Sequence, residues 1–277
     1  MTVIGVDIGG TKIAAGVVGD RAEIITSRVV ETRAAEGFDV SIAQLWRVIE
    51  DLRTPEVQAI GICAPGPLDP LSGIVLNPPN LPGWVNLPLA AIAHEKFALP
   101  VLLENDCNAA GLAETRYGAA RGCRHVFYAG IGTGIGTGII LNGEIYHGAH
   151  GAAGEGGHVT IDYRSSIVCG CGVAGCIEAL ASGPAIEKHK LDLDQTTERI
   201  GAWLGAMVSL LDPEIIVIGG GVARIGEPLF SRLREIVPQK TINPFQPKIV
   251  PAKFDSGIIG AAAVAMVGQV FNPRADL

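Results

Sequence analysis

One imidazole and three thiols lie close together in the chain, as His158-x10-Cys169-x-Cys171-x4-Cys176. They make up the donor set of a tetrahedral structural zinc site. With four protein ligands such a site is closed, so the metal would shape the fold and would not activate water. Gly170, Gly172 and Gly175 supply the irregular loop that a Cys-x-Cys spacing needs. Two carboxylates flank the ligands, Glu155 three residues before His158 and Glu178 two after Cys176. Held rigid by a metal loop, they could accept from adjacent hydroxyls of a polyol, with Asn80, Asn105 and Asp106 adding further polar groups. The other reading is that both are solvated loop charges. His158 could also donate from its second ring nitrogen. Cys63, Cys107 and Cys123 are isolated, so the six cysteines do not form a disulfide framework.

Three glycine clusters suggest a nucleotide. Asp7-Ile8-Gly9-Gly10-Thr11-Lys12 sets an acid at the end of an apolar run, then two glycines that let a ligand approach the backbone, then hydroxyl and ammonium donors. That suits terminal phosphates, although an ordinary Gly-Gly hairpin would read the same way. Gly132-Thr133-Gly134-Ile135-Gly136 repeats the pattern in the second half, and neither copy matches a Walker loop or a dinucleotide fingerprint. Gly219-Gly220-Gly221 follows an apolar run and precedes a helical pattern, where its amides could border a ring or a phosphate, or only form a tight turn. Glu104-Asn105-Asp106 closes a strand and opens a helix. An acid at the carboxyl end of a strand can act as a base, yet Asn105, Asp106 or Asn108 can also cap the helix. On the residues alone, capping is favoured.

The elements that must position these groups follow from periodicity. Val3–Ile8, Ile13–Val18 and Ile24–Val30 read as consecutive antiparallel strands. A helix follows through Phe38, Ile42, Leu45, Ile49 and Leu52, then a strand at Val57–Cys63, a helix at Leu89–Phe97, a strand at Val101–Glu104 and a helix at Ala109–Tyr117. After Cys123 the order restarts, with strands at Val126–Ile131, Ile135–Leu141 and Glu144–His147, which implies an internal duplication. Helices at Ile177–Ala181, Ile200–Leu211, Pro228–Val237 and Ile258–Val267 and strands at Ile215–Ile218 and Lys248–Val250 complete the second copy. The prediction is two similar α/β lobes around a cleft: residues 1–108 plus 258–277 as the N-terminal lobe and 109–257 as the C-terminal lobe, with a hinge near 107–125.

Composition limits the function class. In 277 residues, 48% are hydrophobic and 18% charged, enough apolar surface for a packed core. Twenty-eight Asp and Glu against 21 Lys and Arg give a net charge of −7, with no basic stripe for nucleic acid or a membrane surface. The uncharged stretches Val126–Gly143 and Ser256–Pro273 are broken by glycine and do not read as membrane spans, and the start lacks a signal-peptide pattern. A cytoplasmic protein is expected.

In order, Asp7-Ile8-Gly9-Gly10-Thr11-Lys12, Ala64-Pro65-Gly66-Pro67, Pro79-Asn80-Leu81-Pro82-Gly83-Trp84, Glu104-Asn105-Asp106, Glu155-Gly156-Gly157-His158, Cys169-Gly170-Cys171-Gly172, Gly175-Cys176-Ile177-Glu178 and Ile218-Gly219-Gly220-Gly221-Val222 resemble the ROK family of sugar kinases and sugar-responsive repressors over nearly the whole chain. The resemblance implies an actin-like (ribonuclease H-like) duplicated fold, ATP with Mg²⁺, a structural Zn²⁺, a hexose acceptor and a homodimer. It makes Asp106 the base for the sugar 6-hydroxyl, reversing the capping preference. Asp7 would help hold Mg²⁺; Gly9, Gly10, Thr11, Lys12, Gly132, Thr133 and Gly134 would hold phosphates; Gly219, Gly220 and Gly221 would border the nucleotide. Gly66, Asn80, Asn105, Asp106, Glu155, His158 and Glu178 would read the sugar. Glucose is the first expectation and an N-acetylhexosamine (N-acetylglucosamine or N-acetylmannosamine) the alternative; a sugar-sensing regulator or an actin-like ATPase scaffold are the non-enzyme readings. The connector over 183–199 is shorter than in sugar kinases of the family, where further helices lie.

Overall fold

The computed structural model of the protein describes residues 1–254 and 257–267. The expected placement of 268–277 in the N-terminal lobe lies outside the described residues. The chain divides into two compact units. One holds Met1–Ala113, Gly148–Ala152 and the closing helix; the other holds Glu114–His147 and 153–254.

In the first unit, β1 (Thr2–Ile8), β2 (Lys12–Val18) and β3 (Ile24–Glu31) form an antiparallel meander, as their largely apolar runs and short turns lead one to expect. α1 (Phe38–Leu52) leads to β4 (Val57–Ala64), which pairs parallel with β1. A short hairpin of β5 (Leu68–Asp69) and β6 (Ile74–Val75), too brief to stand out in the sequence, precedes α2 (Leu89–Phe97). β7 (Val101–Asn105) then pairs parallel with β4, and α3 (Asp106–Tyr117) follows without a break. The strand order is β3-β2-β1-β4-β7.

The second unit repeats that order. β8 (Val126–Ile131), β9 (Ile135–Leu141) and β10 (Glu144–Ile145) form the meander; α4 (Ile177–Ala181), α5 (Gly183–His189) and α6 (Leu193–Leu211) lead to β11 (Ile215–Gly219); α7 (Glu227–Ile236) leads to β12 (Lys248–Pro251). The sheet runs β10-β9-β8-β11-β12, the same topology strand for strand. The last helix, α8 (Gly257–Val267), returns to the first sheet, where Ile258, Ala262 and Ala265 pack on Val3, Val18 and Ala59. Gly5 and Gly61 permit that approach, because a Cβ on either would strike a carbonyl of α8, Ile258 O and Ala261 O respectively.

Each unit has its own apolar core, one around Ile4, Ile60, Leu45 and Trp84, the other around Phe127, Trp203, Ile216 and Phe230. Three boundaries differ from expectation by two residues or more. α3 begins at Asp106 rather than Ala109, because Asn105 Oδ1 accepts from the Cys107 and Asn108 amides (2.9 and 3.3 Å) and satisfies the first turn earlier. α6 begins at Leu193 rather than Ile200, since Asp192 and Gln195 form a reciprocal capping box that the polar run around them concealed. The supposed connector over 183–199 is thus α5, a three-residue link and the first two turns of α6. The strand expected to reach His147 ends at Ile145. No helix among the described residues is long and apolar enough to cross a membrane.

Candidate active site

In the first unit the site builds from the carboxyl ends of β1, β4 and β7. Glu104 is only 3% exposed and accepts from the Asn105 amide (2.8 Å) and Asn108 Nδ2 (3.0 Å), so it serves the fold. Asn105 caps α3. Asp106, first residue of the helix, is exposed, and its Oδ1 accepts from the Cys107 amide at 2.8 Å. The helix N-terminus thus steadies a carboxylate that faces solvent.

Asp7, at the end of β1, is half-buried beside that group. Burial first, then the Asp106 charge, raises its carboxyl from the ordinary 3.8 to about 6, with Lys12 pulling the other way. The crowding extends to α8, whose Gly257 could not bear a Cβ without striking the Asp7 carboxylate. Burial, together with Asp7, Glu104, Asp106 and Cys107, pushes the fully covered Cys63 thiol well up, which marks it as inert.

Asn80 is exposed and is held there by the residues that follow it. Leu81 and Trp84 are fully buried, and Trp84 Nε1 donates to Ser41 Oγ at 2.8 Å. A Cβ on Gly10 would lie 2.8 Å from the Asn80 carbonyl oxygen, so the Asn80 segment abuts the Gly9–Lys12 turn. Gly66 follows β4, its peptide to Pro67 cis. The turn itself is closed by Gly9 N–H to Lys12 O (2.9 Å) and braced by Thr32, whose Oγ1 donates to Gly9 O (2.6 Å) and whose amide donates to Thr11 O (2.9 Å). A lone Thr after an exposed strand carries no signal in the sequence that marks Thr32 for this role.

In the second unit, Ile131 pairs with Ile135 to close the Gly132-Thr133-Gly134 turn. Gly132 N–H donates to Gly134 O (2.9 Å) and Gly183 N–H to Gly132 O (2.8 Å). Gly220 takes a positive φ of 82° and packs so close to β8 that a Cβ would lie 2.5 Å from Ile131 O, so the third glycine cluster abuts this hairpin. Gly219 ends β11 and Gly221 opens a short 3-10 turn before α7.

His158, Cys169, Cys171 and Cys176 converge, with their ligand atoms all within 4.8 Å of one another. Cys169 Sγ lies 3.5 Å from His158 Nδ1, and Cys171 Sγ lies 3.7 Å from Cys176 Sγ. Sulfurs on a tetrahedral zinc, each about 2.3 Å from the metal, stand at about that separation, so the four groups fit the ion. Burial and the neighbouring thiols raise Cys169 and push Cys176 up to about 12, while the Val173 backbone chiefly draws Cys171 down. Binding therefore has to release thiol protons. His158 turns Nδ1 to the thiols and Nε2 towards Glu155, whose Oε2 is 3.8 Å away and exposed. The Glu155 loop is tied to β9 by buried Thr137, whose Oγ1 donates to Gly154 O (2.6 Å) and accepts from the Gly156 amide (3.2 Å). Glu178 Oε1 approaches Cys169 Sγ (3.5 Å) and His158 Nδ1 (4.0 Å), while Oε2 accepts from the Ile135 amide at 2.9 Å.

A model described as the ROK family matches residues 3–197. The chain belongs to the ROK family. Among ROK proteins, it is 31% identical to the glucokinase of Thermotoga maritima over 95% of this chain and 97% of that one. It is 29% identical to an N-acetylmannosamine kinase of Salmonella typhi, covering 96% and 98%, and 29% identical to a xylose repressor of Caldicellulosiruptor bescii, covering 96% and 78%. The ROK hexokinase of Thermus thermophilus superposes with a TM-score of 0.84 at 35% identity over 96% and 98% of the two chains. A ROK glucokinase of Streptomyces griseus, solved with glucose and AMPPNP, superposes at 0.82 with 30% identity over 97% and 100%. The fold is the duplicated actin-like, ribonuclease H-like α/β fold of these ROK kinases.

Proposed function

We propose that this ROK protein transfers the γ-phosphoryl group of ATP to the 6-hydroxyl of a hexose, with glucose as the preferred acceptor. The observation that carries the reading is Asp106: of Glu104, Asn105 and Asp106, it is the exposed acid, seated on a helix N-terminus beside a second carboxylate. Likeness over nearly full length to a glucokinase solved with glucose and AMPPNP supports both substrates.

On this reading Asp106 takes the proton of the 6-hydroxyl as that oxygen bonds to the γ-phosphorus and the bond to the β-phosphate oxygen breaks, leaving ADP. Mg²⁺ carried with the nucleotide supplies neutralisation of phosphate charge. Asp7 would face that cation; the backbone of Gly9–Lys12 and Gly132–Gly134, with Thr11, Lys12 and Thr133, would hold phosphate oxygens; Gly219–Gly221 would border the nucleotide. Gly66, Asn80, Asn105, Glu155, His158 and Glu178 would orient the sugar. Zn²⁺ held by His158 Nδ1 and the three thiols would keep the Glu155 loop and the start of α4 with Glu178 in place, leaving His158 Nε2 to donate to a hydroxyl. Full-length likeness to an N-acetylmannosamine kinase supports an N-acetylhexosamine as the second reading of the acceptor.

The test is ADP release with Mg-ATP across glucose, mannose, N-acetylglucosamine and N-acetylmannosamine, against a control without sugar. Strong stimulation by glucose is the expected result. Stimulation by an N-acetylhexosamine alone would move the reading to the second acceptor, and sugar-independent or absent turnover would refute the kinase.

A further inference from the structure

The two glycine hairpins occupy the same place in the two sheets but are braced differently. In the first unit β3 runs beside β2 along its whole length, from Val18 paired with Ile24 to Lys12 paired with Glu31, so the next residue, Thr32, arrives under the turn and bonds Gly9. In the second unit the corresponding strand, β10, pairs only Glu144 with Leu141 and Ile145 with Ile140, at the end of β9 far from the turn. It stops before it can deliver a counterpart of Thr32. The helices that follow the last metal ligand fill that place: on α4, Glu178 Oε2 accepts from Ile135 N–H at 2.9 Å, from 43 residues away, and Gly183, at the start of α5, donates its N–H to Gly132 O. The fit is close, since a Cβ on Gly134 would lie 2.6 Å from Glu178 Oε2. The other carboxylate oxygen of Glu178 lies against Cys169 and His158, so one side chain touches both the ligand cluster and the hairpin.

We propose that Glu178 is the positioning residue of the Gly132–Gly134 hairpin, linking the metal-ligand cluster to nucleotide-phosphate binding independently of any sugar contact. The inference rests on the reading of that hairpin as a phosphate site. A charge-assisted hydrogen bond to a partly buried amide fixes the turn before the ligand arrives, so its loss transfers the ordering to the binding step.

The experiment is calorimetric binding of AMPPNP with Mg²⁺ in the absence of sugar, with metal content measured on each protein. Glu178→Ala should keep the fold and weaken AMPPNP by about tenfold, the scale of a lost charged hydrogen bond. Glu178→Gln, whose amide oxygen can still accept from Ile135, should recover most of that loss. Amide exchange at residues 132–137 should quicken in the alanine variant and not in the glutamine one. AMPPNP affinity unchanged in a metal-loaded Glu178→Ala would overturn the proposal, as would a glutamine variant as weak as the alanine one. If the alanine variant loses its metal, the glutamine variant and the exchange of Ile135 decide alone. Failure of the unchanged chain to bind AMPPNP would refute the phosphate reading itself, whereas unaltered sugar affinity in Glu178→Ala would remove Glu178 only from the sugar contacts.

Discussion

Replacing Asp7 by Asn should stabilise the protein at neutral pH while harming its function. The Asp7 carboxyl titrates near its ordinary 3.8 in an unfolded chain and at about 6 in the fold, because burial and the Asp106 charge disfavour its ionised form. Between those values the folded state binds more protons than the unfolded one, so this group's contribution to stability is whole below 3.8 and is lost as pH rises through about 6. At about 1.4 kcal/mol for each pH unit, the full penalty above pH 6 reaches at most about 3 kcal/mol. The amide introduced by Asp7→Asn would carry no charge and escape it. Urea unfolding of both proteins from pH 4 to 8 should place the variant higher by about 1–3 kcal/mol at pH 7.5, with the gap narrowing steadily towards pH 4. ADP release by the same variant should fall sharply, as expected where a strained charge is retained for function. Equal or lower stability of the variant at pH 7.5, or a gain that stays constant with pH, would refute the electrostatic reasoning.

Asp106→Asn should lower kcat by about 10²–10⁴, the usual scale for a lost general base, while sugar affinity measured by calorimetry stays close to that of the unchanged protein. It should also bring Asp7's midpoint down, because the Asp106 charge helps hold it up, and NMR titration of the two proteins checks this. Cys171→Ser should lose bound metal and lower the melting temperature together, since a closed four-ligand site contributes its binding energy to the fold; a metal-poor variant with full activity and an unchanged melting temperature would remove the structural role.

The sequence by itself determined the features that depend on near neighbours along the chain. The largely apolar runs Val3–Ile8 and Ile13–Val18, with glycine turns between strands, specified the hairpins and their repetition, and β1, β2, β8 and β9 lie where those patterns fall. The His and Cys spacing selected four side chains that the structure brings within 4.8 Å of one another. Tertiary structure decided what depends on burial and on partners far along the chain. Glu104 and Asp106 carry the same functional group, and only the packing of β7 and α3 covers the one and exposes the other. Asp7 owes its raised carboxyl first to the enclosure that α8 helps complete and then to Asp106, remote in sequence. Thr32 under Gly9 and Glu178 under Ile135 could not be read from spacing, because each meets its partner only after strands and loops of unequal length have folded back. Periodicity reports which face of an element is apolar; it carries no information about which distant group will stand opposite it.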